Sequence, residues 1–265
     1  MPKNKAQPQI ELRPVALITG GAKRLGAELC AAFFNAGWRI ACHVNTSQND
    51  AEKLLQSLSA SEDLFKIYSY DLADSKQAEN LVEQVLVGFG RLDCIINNAS
   101  LFEPDFGDNF TPAAYVLHHQ VNVLAPLLLS QSLFAHAKNR NKTSAVVHIL
   151  DQKVDNLNPD YFSYTMSKLS LREAIKLQAQ AYAPHLRVLG LSPGLMYLSG
   201  SQTQANFDKA SKINLLKSAI DPAMVAKACL DLVGNPILNG AILNADCGQH
   251  LVPLGRDVMF LIEDV

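Results

Sequence analysis

Long apolar runs are missing from this chain. The best candidate, Val123 to Leu129, is broken by Pro126 and falls well short of the roughly 18 residues that a membrane-spanning helix needs, so an integral membrane protein is not expected. Charge of one sign is missing too: 23 Lys and Arg stand against 25 Asp and Glu, a formal net charge of -2. No basic field is present to attract a phosphate backbone or an anionic lipid surface, and nucleic acid is not an expected partner. Cysteines number five, Cys30, Cys42, Cys94, Cys229 and Cys247, and include no Cys-x-x-Cys pair. Such spacing fits reduced thiols in a cytoplasmic setting and argues against a disulfide framework or a zinc site. His118, His119 and His148 have no ligand partners at metal spacing, so no metal is expected. Residues 1–13 carry Lys3 and Lys5 without an apolar stretch, and read as a flexible leader instead of a signal peptide.

What the chain does have is an ordinary globular balance, 48% hydrophobic residues over 265 positions, and a regular alternation of pattern. Short apolar or β-branched runs at Val15 to Thr19, Arg39 to Val44, Phe65 to Tyr70, Cys94 to Asn97, Ala145 to Leu150, Arg187 to Leu191 and Ala241 to Asn244 predict seven strands. Between them, Ala27 to Ala36, Asn49 to Ser59, Lys76 to Gly88, Pro112 to Lys138, Phe162 to Tyr182 and Pro222 to Val233 have helical spacing. Strands that are near-continuous apolar runs, alternating with helices, imply an α/β fold with a seven-stranded parallel sheet covered on both faces. We find no linker, repeat or low-complexity segment, so residues 14–265 are expected to form a single doubly wound (Rossmann) domain. Its ligand should lie beyond the carboxyl ends of the strands.

The first strand runs directly into Thr19-Gly20-Gly21-Ala22-Lys23-Arg24-Leu25-Gly26. Glycines at 20 and 21 permit a tight turn with close backbone approach, Gly26 lets the helix lie against the strand, and a helix N-terminus offers N–H groups to a pyrophosphate. Lys23 and Arg24 add positive charge. A plain glycine-rich turn with a basic surface is the alternative. The second strand ends in His43-Val44-Asn45-Thr46-Ser47, where an acidic residue would hold the ribose 2'-hydroxyl of NAD. None occurs before Asp50, so His43, Asn45, Thr46 and Ser47 are expected to meet a 2'-phosphate and NADP is favoured, unless this is only a solvated turn. Asp71 and Leu72 follow the third strand, and Asn98, Ala99 and Ser100 follow the fourth; cofactor contact and ordinary turn chemistry are both open to them.

Tyr164 and Lys168 lie four apart on a predicted helix and share one face. An ammonium beside a phenol whose free pKa is about 10 favours the phenolate and eases proton transfer. The pair is weak evidence alone, but it stands in register with the glycine loop, Asn98-Ala99, Asn122 and Pro193-Gly194. In this order and spacing, from Val15 to about Leu251, the residues resemble the short-chain dehydrogenase/reductase family. That resemblance implies Tyr164 as catalytic acid, Lys168 as holder of the nicotinamide ribose, and Asn122 as the residue that orders a relay water. Asn98 and Ala99 would line the cofactor, and Pro193 and Gly194 would flank the nicotinamide.

The chain departs from the family where Arg24 replaces a glycine and Asp151 replaces a serine thirteen residues before the tyrosine. Both departures, with Asn98-Ala99-Ser100-Leu101-Phe102 and Tyr161-Phe162-Ser163-Tyr164, are similar to the pteridine reductase and dihydromonapterin reductase branch. The implied activity is NADPH-dependent reduction of a dihydropterin, with Phe102 stacking on the pterin and Arg24, Asp151, Tyr161, Tyr164, Leu195 and Leu198 around it. The residue chemistry agrees: a flat bicyclic ring needs an aromatic face, a carboxyl at Asp151 hydrogen-bonded to Tyr164 can pass a proton to a ring nitrogen, and Arg24 can contact phosphate and pterin edge alike. Without the resemblance, a core Phe102 and a capping or surface Asp151 would be the simpler readings. Reduction of another carbonyl, such as a 3-oxoacyl thioester or a ketone, and a non-catalytic NADP-binding role are the alternatives. The substrate loop is expected over residues 195–221, and a homotetramer is expected from the resemblance alone.

Overall fold

The structure is a computed structural model and describes residues 13–200 and 202–261; all but the last residue of the expected leader lies outside them. Seven strands, β1 (Val15–Ile18), β2 (Arg39–Val44), β3 (Phe65–Ser69), β4 (Cys94–Asn97), β5 (Ser144–Ile149), β6 (Leu186–Pro193) and β7 (Ile242–Ala245), form one sheet in the order β3-β2-β1-β4-β5-β6-β7. Every pairing is parallel. The helices are α1 (Arg24–Asn35), α2 (Gln48–Ser57), α3 (Ser75–Phe89), α4 (Pro112–His119), α5 (Ala125–Asn139), α6 (Phe162–Tyr182), α7 (Gln204–Ala210) and α8 (Pro222–Gly234).

Strand periodicity sorts the core into two layers. From β1, Ala16 and Ile18 pack with Leu25, Leu29 and Phe33 of α1 and Val225 to Val233 of α8. Val15 and Leu17 point the other way, onto α3, α5 and α6. These side chains are inaccessible to solvent in β1, and each buried Leu, Ile or Phe contributes about 1.5–3 kcal/mol. Strand order reverses between β1 and β4, which opens a crevice at their carboxyl ends.

The segment expected as one helix from Pro112 to Lys138 is divided. A π-helical segment, Gln120–Leu124, joins α4 to α5. Pro126, in the first turn of α5, lacks the N–H that an α-helix would use to bond the carbonyl of Asn122, and the ladder widens there. The turn places Asn122 inward and buried. Helix α7 falls inside the stretch expected as the substrate loop; Thr203 caps it, accepting from Asn206 N. No helix among the described residues is long and apolar enough to cross a membrane.

Candidate active site

The glycine loop is built by side chains that face it. Gly20 takes a left-handed φ of 60°, and its N–H donates to His43 Nδ1 at 3.2 Å while Gly21 N–H donates to His43 O at 2.9 Å. Asn98 Nδ2 donates to the carbonyls of Thr19 and Gly20, and Thr19 Oγ1 accepts from Asn98 N and Ala99 N. A side chain at Gly26 would strike the Gly20 carbonyl and Asn98, so α1 lies against the loop only with glycine there. His43 is thus not a phosphate ligand as expected. It is buried, its Nε2 faces Tyr70 O at 3.0 Å, and burial pulls its pKa down to about 4; it is a neutral buttress for the loop.

The residues that could hold a dinucleotide fit one. Helix α1 starts with no side-chain cap and no acidic residue in its first turn, whereas α3, α4, α7 and α8 are capped by Asp74, Thr111, Thr203 and Asp221. Its first N–H groups and positive dipole end are left for an anion. Asn45 and Thr46 are exposed and Ser47 half-buried beyond β2. Lys23 is exposed and paired with Asp50 at 2.9 Å. One oxygen of Asp71 closes a turn by accepting from Ala73 N at 2.9 Å. The Leu72 side chain belongs to the core, which leaves its backbone alone to meet a cofactor.

Beyond the sheet edge lies a cleft of about 270 Å³. It brings together Arg24, Leu25, Asn98, Ser100, Phe102, Asp151, Tyr164, Lys168, Pro193, Gly194 and Leu195, all expected from the sequence. At its centre Tyr164 Oη donates to Asp151 Oδ2 at 2.8 Å. Asp151 leaves the end of β5, and its other oxygen accepts from Lys153 N at 2.9 Å, so it caps the 3-10 turn Gln152–Val154 and holds the phenol at once. Tyr164 and Lys168 project from one face of α6, whose N-terminus is fixed when Ser163 N donates to Asp105 Oδ1 at 2.9 Å. Lys168 Nζ donates to Ile149 O at 2.8 Å.

Electrostatics here correct the expected phenolate. Tyr164 is pushed well above the ordinary tyrosine value by burial, then by the Asp151 charge and hydrogen bond. Lys168 is pulled down to about 8 by burial, and Asp151 is raised, again chiefly by burial. Burial in this pocket shifts Tyr164 and Asp151 toward their protonated forms and Lys168 toward its neutral one.

Three further expectations change. Asn122 Oδ1 accepts from Ser100 Oγ and Leu101 N, and its Nδ2 donates to Leu101 O and Ser167 Oγ. That amide is saturated and positions the Ser100-Leu101 loop and α6; its side chain has no bond left for a water. Tyr161 lies behind the cleft, stacked on Phe102 at 4.1 Å and 18°, and so backs the aromatic wall. Leu198 offers its carbonyl, which accepts from Arg24 Nη2 at 3.2 Å. Phe102 itself is partly exposed at the cleft and meets Tyr164 edge-on at 4.6 Å. His148 is a structural residue, buried between Asn97 and Gln178.

Sequence reasoning missed Lys153, Gln249, Asp257 and Val258 in the cleft wall. The last three come from the C-terminal stretch, for which no local pattern announces a return to the site.

A parallel sheet with this reversal, glycine loop and Tyr-Lys helix defines a nucleotide-dependent oxidoreductase. The chain belongs to the short chain dehydrogenase family, whose model matches residues 14–210. Among solved structures it is similar to FolM alternative dihydrofolate reductase 1 from Brucella canis, complexed with NADP, with a TM-score of 0.85 and 29% identity over 92% of this chain and 96% of that one. Pteridine reductase 1 of Leishmania tarentolae is 27% identical over 70% of this chain and 77% of its own. A putative ketoacyl reductase of the granaticin polyketide synthase from Streptomyces violaceoruber is 24% identical over 90% and 97%.

Proposed function

We propose that this protein reduces a dihydropterin to a tetrahydropterin with NADPH as its cofactor. The observation that carries the reading is the Tyr164–Asp151 hydrogen bond inside a cleft whose wall also presents Phe102 and Arg24. Similarity to an NADP-bound dihydrofolate reductase and to a pteridine reductase supports it.

When bound, the reduced nicotinamide supplies a hydride, which goes to the carbon of a ring C=N while a proton goes to its nitrogen. The chain supplies the rest. The glycine loop and the uncapped start of α1 bind the pyrophosphate, Asn45, Thr46, Ser47 and Lys23 meet the 2'-phosphate, and Pro193 and Gly194 line the cleft beside Lys168. Phe102, backed by Tyr161, gives the flat ring a face, and Leu195 and Arg24 border it. Burial favours the protonated form of Asp151, which passes its proton to the ring nitrogen through or beside Tyr164. Holding donor and acceptor groups in one cleft provides much of the rate. We place the enzyme in the cytoplasm, in keeping with its free cysteines, and as a homotetramer.

A second reading, reduction of a 3-oxoacyl thioester or ketone, has the granaticin relative in its favour. The test is NADPH oxidation by the purified protein with dihydrobiopterin or dihydromonapterin in one cuvette and an acetoacetyl thioester in another, with NADH run beside both. Turnover of the pterin alone supports the proposal; turnover of the thioester alone sinks it.

A further inference from the structure

Past β7 the chain folds back over the cleft. Gln249 Oε1 accepts from Leu195 N at 2.9 Å. Asn156 Nδ2 donates to the carbonyls of Gln249 and Val252, and Asn206 Nδ2 donates to Met259 O at 3.0 Å. Arg256 pairs with Asp160 at 2.8 Å, and Asp257 N donates to the same carboxylate at 2.6 Å. Residues 249–260 therefore form a strap tied to the substrate loop, to the segment between β5 and α6, and to α7.

The strap ends in a 3-10 turn, Val258–Phe260, capped by Asp257, whose Oδ1 accepts from Met259 N. The other oxygen of Asp257 accepts from Lys153 Nζ at 3.2 Å. Lys153 is only 2% exposed; it also donates to Asn158 Oδ1 at 2.6 Å and lies 5.6 Å over the Tyr161 ring. An ammonium so buried needs a counter-charge, and this one comes from 104 residues away. Lys153 and Asp257 line the same cleft as Asp151 and Tyr164.

We propose that the strap is a working wall of the active site and that Asp257 is a positioning residue: by holding the Lys153 ammonium it sets how much of that positive charge acts on Asp151. The charged and titratable groups that line the cleft with Asp151 are Tyr164 and Lys168 from α6, Lys153 from its own turn, Asp257 from the strap, and Arg24 and Tyr197 across the cleft. Burial raises Asp151 most; the hydrogen bonds from Lys153 N and Tyr164 Oη and the Lys153 charge work against it, and the Asp257 charge works with it. With the pair closed the two charges oppose each other. With Asp257 neutralised, the ammonium acts unopposed and Asp151 gives up its proton more readily. The use made of the held proton rests on the proposed reaction, whereas the charge relationship does not.

The experiment follows the infrared C=O stretch of protonated Asp151 against pH in the full chain, with the band identified by its loss in Asp151→Asn. In Asp257→Asn its midpoint falls, and in Lys153→Met it rises; Lys153→Gln serves if the methionine variant does not fold. A purely structural pair would not give opposite signs. Dihydropterin kcat/KM in Asp257→Asn loses its high-pH limb at correspondingly lower pH. Midpoints that stay put, or that move the same way in both variants, overturn the proposal. Midpoints that move as stated in a protein that turns over no pterin leave the strap's role standing and defeat the proposed reaction instead.

Discussion

The Tyr164 hydroxyl donates to Asp151 Oδ2 at 2.8 Å, so the two acidic groups of the cleft are joined by a direct hydrogen bond. Tyr164 is buried and Asp151 half-buried in the cleft wall, and burial disfavours the anion of each. The expected consequence is that Tyr164→Phe lowers kcat for the dihydropterin by about 10²-fold or more, the usual scale of positioned proton transfer. NADPH affinity, read by nicotinamide fluorescence, should change little. Near-normal turnover in this variant would remove Tyr164 from the proton path. Asp151→Ser should reduce pterin turnover by at least about tenfold while leaving Tyr164 free to serve a carbonyl substrate.

Burial raises Asp151 above its unfolded-state value, and the sign of the pH dependence follows. Between the unfolded and folded values the native state binds more protons, so stability is fully present below the unfolded pKa and falls as pH rises through the folded one. Asp151→Asn should flatten that fall in a plot of Tm against pH. The wild-type rate with dihydropterin should fall over the same upper edge of the window, because the proton donor is lost there. A rate that climbs across it would contradict Asp151 as the proton's holder.

Much of this is legible in the sequence. Phe162 to Tyr182 has the same bounds as pattern and as helix, because its apolar spacing repeats within one continuous helix. Tyr164 and Lys168 were visible for the same reason: four residues of helix bring them onto one face. What stayed hidden depends on distant partners or on backbone shape. Lys153 meets Asp257 across 104 residues, and an isolated Asp near a chain end carries no sign of that. His43 stands where a cofactor ligand would be sought, but the strand turns its ring under Gly20. Tyr161 adopts a left-handed φ of 57° just before α6, which swings it behind Phe102, and no side-chain pattern encodes that reversal.

On the proposed reading, selectivity for NADPH rests on the turn after β2. Asn45 and Thr46 are exposed there, and Lys23 stands near enough to pair with Asp50. Asn45→Asp places a carboxylate where a ribose 2'-hydroxyl would be accepted and a 2'-phosphate repelled. The ratio of kcat/KM for NADPH over NADH should drop by about tenfold or more, an effect of roughly 1.4 kcal/mol. An unchanged ratio would move the 2'-phosphate away from this turn.

Arg24 occupies a left-handed φ of 49°, a conformation that costs a side-chain-bearing residue about 1–2 kcal/mol and a glycine almost nothing. The strained backbone carries a guanidinium that donates to Leu198 O at 3.2 Å and sits 6.0 Å over the Tyr197 ring, linking the glycine loop to the substrate loop. A strain retained in a cleft wall is the mark of a residue kept for what its side chain reaches. Arg24→Gly should therefore leave Tm level or raise it slightly, while KM for both NADPH and dihydropterin rises severalfold because the link between the two loops is gone. Loss of stability without loss of affinity would show that Arg24 holds the fold and not the ligands.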